Sequence, residues 1–198
     1  MKAIVIACNT ATANSYHLKD EIDTPVIGVI EPTVKYAYNV SEKKNILTIA
    51  TNVTIESMSY QNALEKLSNG IGNFYFEKCS DFVDAIESNI VNNEASFKLV
   101  REKLEKYKDC DIDAIILGCT HFGLYSNELK SVFPNATLVG CGVPTSEYLY
   151  KVLDEKDMLS QTKKIGSVEI NATSDPEFMQ EKISWFKGNY DKVKLLDI

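Results

Sequence analysis

The sequence predicts an α/β fold built on parallel β-sheet, and three observations carry that reading. Segments of strand character alternate with segments of helix character along nearly the whole chain. Two of the strands, "KAIVIA" and "DAIILG", are continuous aliphatic runs, as strands covered on both faces should be. Both runs end in the same grammar, "ACNT" and "GCTH": a small residue, a cysteine, then hydrogen-bonding side chains. The two cysteines, Cys8 and Cys119, lie 119 − 8 = 111 positions apart. Their matched settings point to two related α/β halves.

The elements follow in order. After the first strand a helix is expected over "TANSYHLKDEI", then a strand in "PVIGVI". A helix in "PTVKYAYNV" is opened by Pro32, whose fixed φ suits a first turn. "NILTIA" reads as a strand. "TIESMSYQNALEKL" reads as a helix with Thr54 available as N-cap and Gly70 near its end. "NFYFEK" is a strand, and "SDFVDAIES" a helix capped by Ser80 with Phe82, Val83 and Ile86 on one face. "NEASFKLVREKLEKY" is a charged amphipathic helix. After the second aliphatic strand come helix "LYSNELKSVF", strand "ATLVG" and helix "PTSEYLYKVLDE". The chain closes with strand "KIGSVEINA", helix "DPEFMQEKISWF" with Asp175 as cap and Pro176 in its first turn, and strand "KVKLL". No low-complexity linker separates domains.

Composition narrows the function. The 198 residues are 44% hydrophobic and 25% charged, enough to bury a substantial core. The net charge of −7, without any basic stripe, argues against a nucleic-acid partner. The apolar run Ala3–Cys8 is too short for a signal peptide, and no stretch approaches the roughly 20 apolar residues of a membrane span. Five scattered cysteines, an odd number without any CxxC, do not read as a disulfide framework. Free thiols fit a reducing, cytoplasmic location. The closest Cys/His pairing is Cys119-x-His121, too sparse for a metal site, so neither metal nor cofactor is expected.

Two cysteines at two strand ends carry the chemistry. A helix start offers unpaired N–H groups and a partial positive charge, which favour anions and thiolates. Asn9, Thr10 and Thr120 set neutral donors and acceptors beside the sulfurs, and His121 can hold or donate a proton. If the halves face each other, one thiolate can take a proton from a carbon while the other thiol returns one from the opposite side. That inverts a stereocentre with no cofactor. A single cysteine ending a strand is most often packing, but two in matched contexts shift the balance toward function. Cys79, Cys110 and Cys141 lack that context and read as structural. No arginine follows either cysteine closely, which disfavours a thiol phosphatase.

"IVIACNTATA" and "ILGCTHFGL" resemble the two signature segments of glutamate racemases, in the aspartate/glutamate racemase superfamily. "IATNVTIES", "FEKCSDFVDAIES" and "TSDPEFMQEKISWF" resemble that family in the same order, over nearly the whole chain. The resemblance implies two pseudo-symmetric, doubly wound parallel-sheet domains with the active site between them. Here they would be 1–39 plus 145–198, and 40–144. It implies cofactor-independent racemisation of glutamate, with D-glutamate feeding peptidoglycan synthesis, and a homodimer as the assembly to test. Carried over, Cys8 and Cys119 are the acid/base pair. Asn9, Thr10, Thr51, Thr54, Thr120 and His121 bind substrate or assist, and Glu87 supports the histidine. Taken alone, Glu87 is a helix-surface charge and Thr54 a cap. His17 matches no signature and is expected to be exposed.

The chain departs from the family's pattern in three places. An Asp-Ser-Gly loop and a Pro-Tyr-Gly segment precede the first cysteine motif in the family, whereas this chain starts at that motif. The first domain is therefore expected to be incomplete at its N-terminus by a βαβ unit of roughly 30 residues, leaving racemisation weak or absent. Gly123 stands in place of a proline, and "VGCGVPT" in place of an Asp-Ser pair. Two other activities stay open: racemisation of aspartate, hydantoin or another acid, and a catalytically inactive amino-acid-binding protein.

Overall fold

A computed structural model describes residues 1–162, 166–184, 190 and 192–197. The chain divides into two compact units, Met1–Leu159 and Ser160–Ile198. No helix among the described residues is long and apolar enough to cross a membrane.

In the first unit, strand β1 (Ile4–Ile6) leads into helices α1 (Asn9–Asn14) and α2 (Leu18–Glu21) and strand β2 (Val26–Gly28). β1 and β2 pair in parallel, Ile4 opposite Val26. Helix α3 (Ile30–Val40) leads to β3 (Asn45–Ala50), α4 (Asn52–Glu56), α5 (Ser59–Ser68), β4 (Asn73–Lys78), α6 (Ser80–Glu87) and α7 (Glu94–Leu104). β5 (Ala114–Gly118), a 3₁₀ turn (Thr120–Tyr125), α8 (Ser126–Val132), β6 (Thr137–Val139) and α9 (Gly142–Glu155) complete it. The second sheet has order β4-β3-β5-β6, parallel throughout. The predicted α/β class with parallel sheets is what the structure has.

Side chains on a strand alternate between faces. Ile46, Ala114 and Ile116 pack against Ile30, Val34 and Ala37 of α3 and Tyr60 and Leu64 of α5. Leu47, Ile49, Ile115 and Leu117 point the other way and are buried too. A second apolar group comes from α6, α7, α8 and the 3₁₀ turn, where Phe82 meets Phe122 and Tyr125 edge-on. Burial on both faces explains the unbroken aliphatic run of β5, whereas β1, the other aliphatic run, pairs only with β2 and leaves Val5 37% exposed, so its expected cover on both faces is not met.

Several boundaries differ from the sequence reading, each for a local reason. The helix expected over 12–22 begins at Asn9 and breaks after Asn14, where the Ser15 N–H turns back to Thr12 O. The helix expected over 54–67 is two helices, because Met58 sits at φ 59° and stops the first. Ser57 Oγ then accepts from the Ser59 N–H at 3.3 Å and opens the second. The cap before α4 is Thr51, whose hydroxyl accepts from the Thr54 N–H; Thr54 lies inside the helix. Cys79, not Ser80, precedes α6, and Ser80 Oγ accepts from the Asn52 N–H instead. The stretch expected to open as helix at Leu124 is still a 3₁₀ turn there.

The second unit holds α10 (Pro176–Ile183) and two short strands, β7 (Asn171–Ala172) and β8 (Lys194–Leu195), paired in parallel. Asp175 caps α10 as expected, its carboxylate accepting from the Phe178 N–H at 3.0 Å. Gln180 Oε1 accepts from the Val193 N–H at 2.8 Å. The strand expected over 164–172 narrows to its last two residues, and its start at 164–165 lies outside the described residues, as do the last two positions of the helix expected over 175–186.

Ile116 is fully buried in β5, with sheet on both sides. Ile116→Ala should cost about 2–5 kcal/mol, read as a lower urea midpoint at unchanged slope. A loss under 1 kcal/mol would mean this core collapses around the cavity.

Candidate active site

In a parallel sheet every strand runs the same way, so the helix starts gather on one edge, where ligands bind. Six residues of this chain occupy that position; Val29 and Cys79, after β2 and β4, are buried, and the other four are at least partly exposed. Cys8 follows β1 and is the N-cap of α1. Thr51 follows β3, Cys119 follows β5 and Cys141 follows β6, each the N-cap of the next helical element. Cys8 and Cys119 are both extended, at φ −110° and −148°. All five cysteines are free.

Three hydroxyls join the two sheets' helix starts. Thr10 Oγ1 lies 2.9 Å from both Thr51 Oγ1 and Thr54 Oγ1, which are 2.9 Å from each other. Each hydroxyl can donate to one neighbour and accept from the other, closing a ring. Thr54 is fully buried, while Thr10 and Thr51 are half-exposed at the edge. Thr12 anchors α1 from below, donating to Ile6 O at 2.9 Å and accepting from the Val29 N–H at 3.2 Å. Gly28 leaves room for it: a Cβ there would lie 2.4 Å from Thr12 Cγ2.

Around Cys119, the His121 Nδ1 lies 3.7 Å from Sγ, and its Nε2 lies 3.3 Å from Glu87 Oε1. With Nε2–H given to Glu87, a neutral ring offers its Nδ1 lone pair to the thiol, and a protonated ring offers an N–H to the thiolate. Burial raises the Cys119 pKa above its ordinary value. The His121 backbone N–H opposes that, a charge on Cys8 or Cys141 adds to it, and the Thr120 hydroxyl opposes it. Thr120 itself is exposed.

Asn9 is turned inward. It is 1% exposed, and its Oδ1 accepts from the Tyr60 hydroxyl at 2.6 Å. Its Nδ2 is buried without a full hydrogen bond, and the group it acts on is the Cys141 thiol. Burial raises the Cys141 pKa; its own backbone N–H and Asn9 oppose this, and a charge on Cys8 adds to it. Tyr60 is pushed well above the ordinary phenol value by burial, then by charge on Cys141, Tyr16 and Cys119.

The sequence pattern shared by Asp/Glu/Hydantoin racemases matches residues 1–147. The chain belongs to that family. Within it, the glutamate racemase of Sulfurihydrogenibium is 32% identical over 99% of this chain and 74% of its own length. Two solved glutamate racemases, an isoform from Bacillus anthracis and the Francisella tularensis enzyme in complex with D-glutamate, are each 28% identical. They superpose with TM-scores of 0.92 and 0.88, covering all of this chain and 74% of each relative. The resemblance to glutamate racemases thus extends over the whole chain.

Against that racemase frame, the structure brings Cys8, Asn9, Thr10, Thr51, Thr54, Thr120, Cys119, His121 and Glu87 to one edge of the molecule. His17 is exposed. Sequence reasoning missed Cys141 and Tyr60. Cys141 follows "TLVG", the same strand, small residue and cysteine order as the other two, and that was the available signal. Gly123 is exposed, with open space where a side chain would go, so the missing proline disturbs nothing. A cleft of about 440 Å³ lies at the opposite ends of the strands. There Lys43 pairs with Asp111 at 2.7 Å, and Asp113 accepts from Ser41 Oγ.

Native-state alkylation with iodoacetamide, mapped by peptide mass, should leave fully buried Cys79 unlabelled. Cys119 should label with a pH midpoint above that of a free cysteine thiol. A midpoint below it would mean that the local N–H groups outweigh burial.

Proposed function

We propose that this chain is a glutamate racemase that inverts the substrate α-carbon with two thiols, Cys8 and Cys119, and no cofactor. The observation that carries the reading is the pair itself: two cysteines in matched N-cap positions after parallel strands, one from each sheet. Glutamate as substrate rests on the relatives, both those sharing sequence and the one holding D-glutamate.

The chemistry balances with one proton shared by the pair. A Cys8 thiolate takes the proton from Cα on one face, and the Cys119 thiol donates its proton to the other face. The enzyme is left with the proton on Cys8 and the charge on Cys119, the state that runs the reverse reaction. Burial favours the protonated form of Cys119, which suits it as the donor. His121, backed by Glu87, buffers charge on that sulfur. Thr10, Thr51 and Thr120 present hydroxyls for the substrate's carboxylate, and Thr54 braces the first two from below. The carbanion's charge is then met by donors already in place, which lowers the barrier most.

The same reading divides the chain at 1–39 plus 145–198 and 40–144, as two pseudo-symmetric halves. It places the protein in the cytoplasm as a source of D-glutamate for peptidoglycan, with homodimer formation to be checked by light scattering.

Incubation with L-glutamate, followed by circular dichroism, should show loss of optical activity. Cys8→Ala and Cys119→Ala should each lower kcat by about 10²–10⁴. Turnover that survives either change removes that sulfur from the mechanism. The pH profile of kcat/KM should be a bell whose limbs belong to the pair rather than to either thiol. Its alkaline limb marks loss of the shared proton. Because the Cys119 pKa is raised, the proton is held to higher pH, and that limb lies above the ordinary thiol range. Thr120→Ala removes a group that favours the thiolate, so the limb should move further up; a downward move contradicts the assignment.

A further inference from the structure

One side chain touches the neighbours of both cysteines. The Tyr60 hydroxyl donates to Oδ1 of Asn9, the residue after Cys8, at 2.6 Å. The Tyr60 ring lies against Gly118, the residue before Cys119: a Cβ on Gly118 would come within 3.2 Å of Tyr60 Cε2. Tyr60 is itself fully buried, packed among residues of α3, β3 and β5.

We infer that Tyr60 is a positioning residue that sets the distance between the Cys8 and Cys119 thiols. The inference rests on the two-thiol reading above. α1 is six residues long, too short to hold itself in place, and side-chain hydrogen bonds tie it to the rest of the fold. Thr12 ties it to β1 and to the residue after β2, Thr10 to the start of α4, and Asn9 to Tyr60. The first of these stays within the first sheet's own elements. The tie through Tyr60 acts on the first helical residue, next to the sulfur. It also comes from a side chain wedged against the strand that carries the other sulfur. Asn9 Oδ1 is an acceptor with no route to solvent, so without the hydroxyl the amide must turn or its helix must shift. In a two-base reaction both sulfurs must reach one carbon from opposite faces, and sub-ångström placement is what the rate depends on.

Tyr60→Phe deletes only the hydroxyl and keeps the ring against Gly118. The protein should fold, with thermal melting close to that of the parent. Hydrogen–deuterium exchange of a peptide covering 4–14 should quicken, while one covering 114–118 stays protected. With glutamate, kcat should fall about ten- to hundredfold and KM stay within about twofold. Substrate deuterated at Cα should separate the directions. The isotope effect on kcat should rise for the enantiomer whose proton Cys8 removes and fall for the other. Unchanged exchange over 4–14 overturns the inference whether or not the parent racemises glutamate. So does faster exchange with unaltered kcat, or an equal isotope change in both directions. A parent that racemises nothing sinks the two-thiol reading instead, while the exchange result still decides whether Tyr60 holds α1. Should Tyr60→Phe fail to fold, Asn9→Ser breaks the same bond from the other end, and the same change in exchange is expected.

Discussion

The site depends on a constraint of parallel sheet more than on any single bond. Strands that run in one direction put all their helix starts on one edge, and a residue at an N-cap has its side chain beside unpaired N–H groups. Cys8, Thr51, Cys119 and Cys141 hold four such positions. That arrangement alone places thiols and hydroxyls at one edge with donors around them. What remains for specific side chains is to bring two separate sheets into a fixed relation at that edge. The threonine ring does this at the surface of the edge, and the Tyr60–Asn9 bond does it underneath.

Two opposing effects then set the acidity of Cys119. Burial favours the thiol, while the His121 N–H and the Thr120 hydroxyl favour the thiolate, and burial wins. A two-base racemase needs one thiol protonated and one not. A pair in equal surroundings would still share one proton, because placing charge on both sulfurs costs each of them. Burial at Cys119 biases where that proton rests, which makes the forward and reverse resting states unequal. The equilibrium between enantiomers is unaffected, since an enzyme cannot move it. The bias decides only which form of the free enzyme accumulates.

Much of this was legible in the residues. Strands at 45–50 and 73–78 are found at the limits read from sequence, because β-branched and aromatic residues bounded by polar ones mark strands clearly. Both cysteine motifs were visible as strand ends. Less legible was anything decided by a partner far along the chain. Thr54 looked like a cap, and only the fold shows Thr51 capping it while Thr10 arrives from 44 residues away. Met58 carries no sequence mark of a left-handed residue, so the break between α4 and α5 was hidden. Tyr60, inside a segment read only as helix, carried no mark that set it apart. Asn9 read as a substrate contact, yet its amide faces inward because a tyrosine 51 positions later supplies its donor.

Cys141 shows why the third strand-end thiol belongs to this account although it lies outside the matched pair. Its sulfur is near enough to raise the Cys119 pKa, and a charge on Cys8 raises its own. Any charge it carried would therefore oppose the thiolate the reaction needs. Burial prevents that by holding Cys141 as a neutral thiol, and the Asn9 amide only partly offsets it. A neutral thiol at this strand end is a small, polarisable group that adds no charge. An aspartate at the same strand end would put a fixed negative charge there and push the Cys119 pKa further up. In the proposed mechanism the thiolate charge passes between Cys8 and Cys119, and a neutral Cys141 adds none of its own.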